Sequence, residues 1–279
     1  MHWVPLVASL VAAAVITPTT VRGLAAQGLV RANYRGAPVA FPAGIALLVP
    51  ALAALVVAAP LYQFADTSVF EPGFGIAAVY VLGIAVLGLI DDFTGSTDGQ
   101  PRGWRGHFGA LGRGQVSSGV VKAVGALGLA LFVAADPSVG AATYLLSAAV
   151  LVLATNVFNL IDLRPGRAGK ALILLGIGLT IGSGRLEPLR TLGLFVGPIL
   201  VLLPLDLREV GMLGDTGSNV MGAVAGVWLI FTLTSTLGLA IAAGVLALIT
   251  LYGEFRSISA FVERTPGLRQ LDLLGRSHA

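Results

Sequence analysis

VLGLIDDFTG, residues 86–95, is the stretch on which the reading of this chain turns. An apolar run longer than one helical turn delivers two adjacent carboxylates, Asp91 and Asp92, and then Phe-Thr-Gly. The run predicts a helix in a hydrocarbon layer. Charged groups at the edge of such a layer are costly, so the pair is expected to face a partner, a cation or a reaction.

The rest of the composition agrees with a membrane setting. The chain is 56% hydrophobic and 11% charged, with a mean hydropathy of +0.90, whereas soluble domains carry roughly 25% charged residues. A crossing of the bilayer takes about 20 apolar residues. Nine runs approach that length: 3–21, 42–61, 74–90, 116–134, 141–160, 169–183, 189–205, 218–236 and 238–253. The fold class expected is all-α, a polytopic integral membrane helical bundle of about nine transmembrane helices. The 37 glycines suit it, because small residues such as Gly178 and Gly182, or Gly222 and Gly226, let helices approach closely.

The first run lacks a basic leader, and its first cation, Arg22, follows it. This predicts an uncleaved helix with its N-terminus outside. Alternation then places 22–41, 91–115, 161–168, 206–217 and the tail in the cytoplasm. All of the 17 cations except Arg185 and Arg190 fall on that side, as the positive-inside rule requires. Their placement explains the net charge of +3 without a nucleic-acid partner. Absence of cysteine excludes disulfides and thiolate chemistry. One transmembrane domain, 1–253, is expected, with a cytoplasmic amphipathic tail at 254–279 whose Ile258, Phe261, Val262, Leu268, Leu271 and Leu274 alternate with charges. A transporter would keep ionisable groups at the midplane, and these spans carry almost none.

Polar chemistry concentrates on the cytoplasmic face. Asp91 and Asp92 end the third run, Asp162 follows NVFNLI at 156–161, and Asp215 lies in MLGDTGSN at 212–219. Carboxylates gathered from separate helices repel one another unless a cation lies between them. Mg²⁺, with oxygen ligands and room for substrate phosphates, suits such a place, and Mn²⁺ could replace it. The competing explanation is structural, with each carboxylate capping a helix or pairing with a cation. Thr216 and Ser218, after Asp215 at a helix start, offer hydroxyls and backbone N–H groups as an anion cradle or as an ordinary N-cap. Asn156 and Asn159 lead to Asp162 on one helical face, as ligand contacts or as interhelical glue. Arg164, Arg167 and Lys170 can hold phosphates or lipid headgroups. GRAGK at 166–170 fails as a P-loop, because Ala171 replaces the hydroxyl residue. The loop TDGQPRGWRGHFGALGRGQ at 97–115 brings Trp104, His107 and Phe108 to the interface, with His107 an acid–base candidate.

In this order and on one face, Asp91-Asp92, NVFNLID and GDTGSN resemble the motifs of the polyprenyl-phosphate N-acetylhexosamine-1-phosphate transferases, which include the phospho-MurNAc-pentapeptide translocase and the GlcNAc-1-phosphate transferases. The resemblance covers about residues 1–253. It implies transfer of a sugar-1-phosphate from a UDP-amino sugar to a polyprenyl phosphate, with release of UMP, at the cytoplasmic face of a bacterial plasma membrane, for cell-envelope glycan synthesis. It further implies Asp215 as the Mg²⁺ ligand, Asp91 and Asp92 as residues that bind metal or handle the lipid phosphate, Asn159 with Asp162 on the nucleotide side, and Lys122 at a basic position of the family. The residues themselves add Asn156, Arg164, Arg167, Thr216 and Ser218 as candidate substrate contacts beside the candidate catalytic carboxylates Asp91, Asp92 and Asp162. A homodimer is compatible with it. At 162–168 the chain reads DLRPGRA, where the family commonly reads Asp-Gly-x-Asp-Gly-Leu-Ala, so Pro165 stands in place of a second Asp. The last cytoplasmic loop also lacks the translocase's His-rich motif. These departures keep open a catalytically degenerate paralogue that binds lipid phosphate or scaffolds an envelope-synthesis complex.

Overall fold

Apolar runs separated by polar connections form one helix each. A computed structural model describes residues 1–65, 67–94 and 118–277. Trp104, His107, Phe108, Arg102, Arg105 and Arg113 lie outside the described residues. The long helices are α1 Val4–Ala26, α2 Ile45–Phe64, α3 Phe74–Thr94, α4 Ser118–Ala134, α5 Ala141–Ile161, α6 Arg167–Ser183, α7 Glu187–Leu207, α8 Gly214–Thr232 and α9 Thr236–Phe255. Two short helices, α10 Ile258–Arg264 and α11 Pro266–Leu273, follow. Between α1 and α2 a small hairpin pairs β1 Val30–Ala32 with β2 Pro38–Ala40, antiparallel, Arg31 opposite Val39.

The molecule is thus a helical membrane bundle. Each of the nine expected runs is a helix, yet six are long and apolar enough to cross a membrane: α1, α2, α3, α5, α7 and α9. The other three fall short for visible reasons. Helices α4 and α6 have 17 residues each, and α8 opens with GDTGSN before its apolar part begins.

Helix α8 is the axis of the bundle. Every residue from Thr216 to Leu229 is buried, and α8 packs against α3, α5, α6 and α7. Small residues make this possible. A Cβ on Gly222 would lie 2.6 Å from Thr155 Cα, and one on Gly88 would lie 2.7 Å from the Asp215 carbonyl oxygen. Backbones at this distance gain dispersion contacts that larger side chains would prevent. Polar bonds then fix register: Tyr80 and Thr155 hydroxyls meet at 3.1 Å, Ser9 Oγ donates to the Gly193 carbonyl at 3.1 Å, and Thr17 Oγ1 donates to the Ala46 carbonyl at 3.0 Å.

The start of α8 is held by the hairpin. Ala40 bridges to Gly211, the Met212 N–H donates to the Ala40 carbonyl at 2.9 Å, and the Ala43 and Gly44 N–H groups donate to Met212 and Leu213. Asn33, Tyr34 and Arg35 all reach Glu209. The tail is pinned to the same end of the bundle. Its expected helical run breaks at Thr265-Pro266, because proline lacks an N–H and pushes Thr265 into extended backbone, φ −99° and ψ 107°. At the opposite end Arg190 Nε lies 2.7 Å from Glu71, which His2 also approaches.

Candidate functional site

Asp91 and Asp92 occupy the last turn of α3, and successive helical positions point about 100° apart. They therefore meet different neighbours. Asp92, 6% exposed, turns to the first turn of α8. It accepts from the Asp215 N–H at 2.8 Å, the Thr216 N–H at 2.8 Å and the Thr216 hydroxyl at 2.6 Å. These N–H groups have no acceptor within their own helix, and the helix dipole favours a negative charge beside them. Gly214, at φ +69°, brings the chain into α8, and a Cβ there would lie 2.8 Å from both Asp92 oxygens.

Asp91 turns the other way. Lys122, from the second turn of α4, sets its ammonium 3.3 Å from Asp91 Oδ2 and against Asp215 Oδ2. Two carboxylates, from α3 and from α8, thus close on a single positive charge. Arg31 of β1 stands at the edge, its guanidinium 3.6 Å above the Phe41 ring and its Nη2 donating to the Asp92 carbonyl at 3.4 Å.

The side formed by α5 and the following loop is built differently. Asp162 ends α5. It makes no hydrogen bond or ion pair among the described residues, and burial, with Asp206 and Asp215 adding repulsion, pushes its carboxyl well above the ordinary range. Asn159 Nδ2 donates to Ser218 Oγ at 3.3 Å, and Ser218 Oγ donates to the Gly214 carbonyl at 3.0 Å. Asp206 in the last turn of α7 accepts from the Gly166 N–H at 2.7 Å, which holds the loop after Asp162 in place.

The other expected site residues have partners within the protein. The cradle at Thr216 is filled from within by Asp92, and Thr216 is fully buried. Asn156 Nδ2 donates to the Thr250 hydroxyl on α9 at 3.2 Å, a bond between helices. Arg167 grips Asp272 of α11 with Nε at 2.9 Å and Nη2 at 3.1 Å, and Ser259 with Nη1 at 3.1 Å, so its fork holds the tail instead of standing free for phosphate. Lys170 caps the α11 end through the Leu271, Asp272 and Leu274 carbonyls. Arg164 stacks 4.2 Å above the Tyr34 ring and reaches Glu263 at 3.4 Å.

Arg31 and Asp206 did not stand out in the sequence as site residues. Asp206 carries the signal that marked Asp91, an acid in the last turn of an apolar helix, in LPLDL at 203–207. Arg31 carries no such signal, because only the hairpin brings it to α3.

Among the described residues no group of three or more His, Asp or Glu side chains forms a closed metal cage. Mg²⁺ does not need one, since it usually takes one or two carboxylates together with substrate phosphates. Asp91 and Asp215, already turned to one cation position, fit that donor set. The end of the bundle can therefore hold a cation between α3 and α8, with Arg31 beside the Asp92 carbonyl for an anion. No protein-family model matches this chain, and no curated protein matches it significantly.

Proposed function

We propose that this chain is a membrane-embedded phosphotransferase that moves a sugar-1-phosphate of N-acetylhexosamine type from a UDP-sugar to a polyprenyl phosphate. The observation that carries this reading is the closure of Asp91 and Asp215, from two helices, on one cation position at a polar end of an apolar bundle. The motif resemblance supplies the substrate class. In the proposed reaction a phosphate oxygen of the lipid attacks the β-phosphorus, the bond from that phosphorus to the bridging oxygen breaks, and UMP leaves with the electron pair. Mg²⁺ held by Asp215 and Asp91 would neutralise pyrophosphate charge and ease departure of UMP.

The chain's own groups divide the remaining work. Asp92 fixes α8 so that Asp215 faces the cation position, and Asn159 with Ser218 and Asp162 forms the wall offered to the nucleotide. Arg164 and Arg31 provide donors for phosphate oxygens. All nine long helices are proposed to cross the membrane, the shorter ones at a thin part of the bundle, with the N-terminus outside and the site facing the cytoplasm of a bacterial plasma membrane. The cation bias of the loops supports that orientation.

A second reading has one observation in its favour. Arg167 and Lys170 are spent on the tail, and the Pro165 carbonyl accepts from Arg276 at 3.1 Å, so the segment that departs from the family motif serves the tail. A degenerate paralogue that only binds lipid phosphate accounts for that. Exchange of radiolabelled UMP into UDP-GlcNAc or another UDP-amino sugar, with polyprenyl phosphate and Mg²⁺, separates the two. The transferase exchanges label and Asp215→Asn does not; lipid binding without exchange by the parent protein favours the degenerate reading.

A further inference from the structure

We infer that Lys122 is an exchangeable counter-cation of the Asp91–Asp215 pair, displaced when a divalent ion binds, so that the metal must arrive before the Lys122 ammonium is free to hold phosphate. This rests on the metal-dependent reading above and adds an order of binding to it. Two carboxylates of adjacent helices converge at a point where Gly88 lets α3 and α8 touch backbone to backbone. Without a cation there, like charges would oppose that contact. The ammonium meets this need, 3.3 Å from Asp91 Oδ2 and bonded to Asp215 Oδ2. These are its only partners among the described residues.

The same two oxygens are those that a hard divalent ion would take, so ion and ammonium compete for one place. Two negative charges balance one divalent ion, and a third positive charge between them has no counterpart. Lysine suits such an exchange because its charge sits on a flexible four-carbon stem. The side chain is 23% exposed, so it can swing outward without moving α4. Once released, the ammonium stands beside the metal with three donors unpaired, the condition in which it binds a phosphate.

The chain has two lysines, and Lys170 is fixed on three carbonyls of the tail, which makes it an internal reference. The full-length protein in detergent is treated with a reductive-methylation reagent, with and without Mg²⁺, and each lysine is followed by mass spectrometry. Mg²⁺ is expected to raise the labelling rate of Lys122 severalfold and to leave Lys170 unchanged. In parallel, Mn²⁺ binding is read by electron paramagnetic resonance. Lys122→Met and Lys122→Gln are expected to bind Mn²⁺ about ten-fold more tightly than the parent, within the usual range of coupling between two sites. If Asp215→Asn abolishes Mn²⁺ binding while both Lys122 variants bind Mn²⁺ no more tightly than the parent, or if Mg²⁺ leaves Lys122 labelling unchanged or lower, the exchange is overturned and the metal site stands. If neither the parent nor the Lys122 variants bind Mn²⁺, the metal-dependent reading fails along with it.

Discussion

Asp92 places both oxygens on the first turn of α8, capping a helix from outside it. Loss of such a cap costs about 0.5–2 kcal/mol. Asp92→Ala is therefore expected to destabilise the protein by about 1–2 kcal/mol in detergent unfolding, and Asp92→Asn, which keeps one acceptor, by less. Asp162 behaves in the opposite sense with pH. Its folded-state carboxyl is raised by burial first and by Asp206 and Asp215 next. The stability it contributes is complete below the unfolded value of about 3.9 and is lost as pH rises through the folded value. Asp162→Asn cannot ionise, so its stability relative to the parent is expected to climb as pH rises above about 4 and then level off. Unfolding midpoints at several pH values check this. The sequence marked Asp91, Asp92, Asp162 and Asp215 together, because acids beside apolar runs are rare. It could not assign their separate tasks, since a rotation of about 100° between Asp91 and Asp92 matters only once the neighbours are known.

Helix contacts depend on glycines at two crossings. Gly222→Leu would drive its side chain into Thr155 backbone atoms, and Gly88→Leu would drive its own into Asp215 and Thr216. Overpacking of this kind costs roughly 1–3 kcal/mol. Gly88→Leu is expected to lose the site along with stability, whereas Gly222→Leu, deeper in the bundle, chiefly loses stability; unfolding midpoints beside Mn²⁺ binding tell them apart. The tail is a second element with a clear test. Burial alone would raise the Asp272 carboxyl, but the Arg167 fork and Arg276 outweigh it and hold it below the usual carboxylate range. A lowered value means that the clasp is fully present above the unfolded value of about 3.9 and is lost as pH falls through the folded value. Protease cleavage within 257–277 is expected to be slow at neutral pH and fast in acid, and Arg167→Ala is expected to make it fast at both. The amphipathic pattern of the tail was legible. The clasp was not, because residues more than 100 positions apart make it, and cations at a helix start look the same whether they face phosphate or a carboxylate.

For the whole molecule, apolar runs reported the helices closely: the run read at 141–160 is the helix Ala141–Ile161, and that at 74–90 is the helix Phe74–Thr94. Length was less legible, because polar first turns such as GDTGSN belong to α8 although hydropathy excludes them. The hairpin that carries Arg31 and braces α8 was also missed as structure, since each strand has three residues and neither has a usable period. Both omissions lie beside the candidate site, where local pattern gives way to contacts between distant segments. The reaction proposed for this end of the bundle is transfer of a phosphosugar to lipid. Its most direct measurement is mass spectrometry of the lipid fraction after purified protein meets a UDP-N-acetylhexosamine and polyprenyl phosphate. With Mg²⁺ the expected product is a polyprenyl pyrophosphoryl sugar in equal amount to UMP, lost in EDTA and in Asp215→Asn. Absence of that product from the parent protein with every UDP-amino sugar tried, in the presence of Mg²⁺, would rule out the proposed transfer.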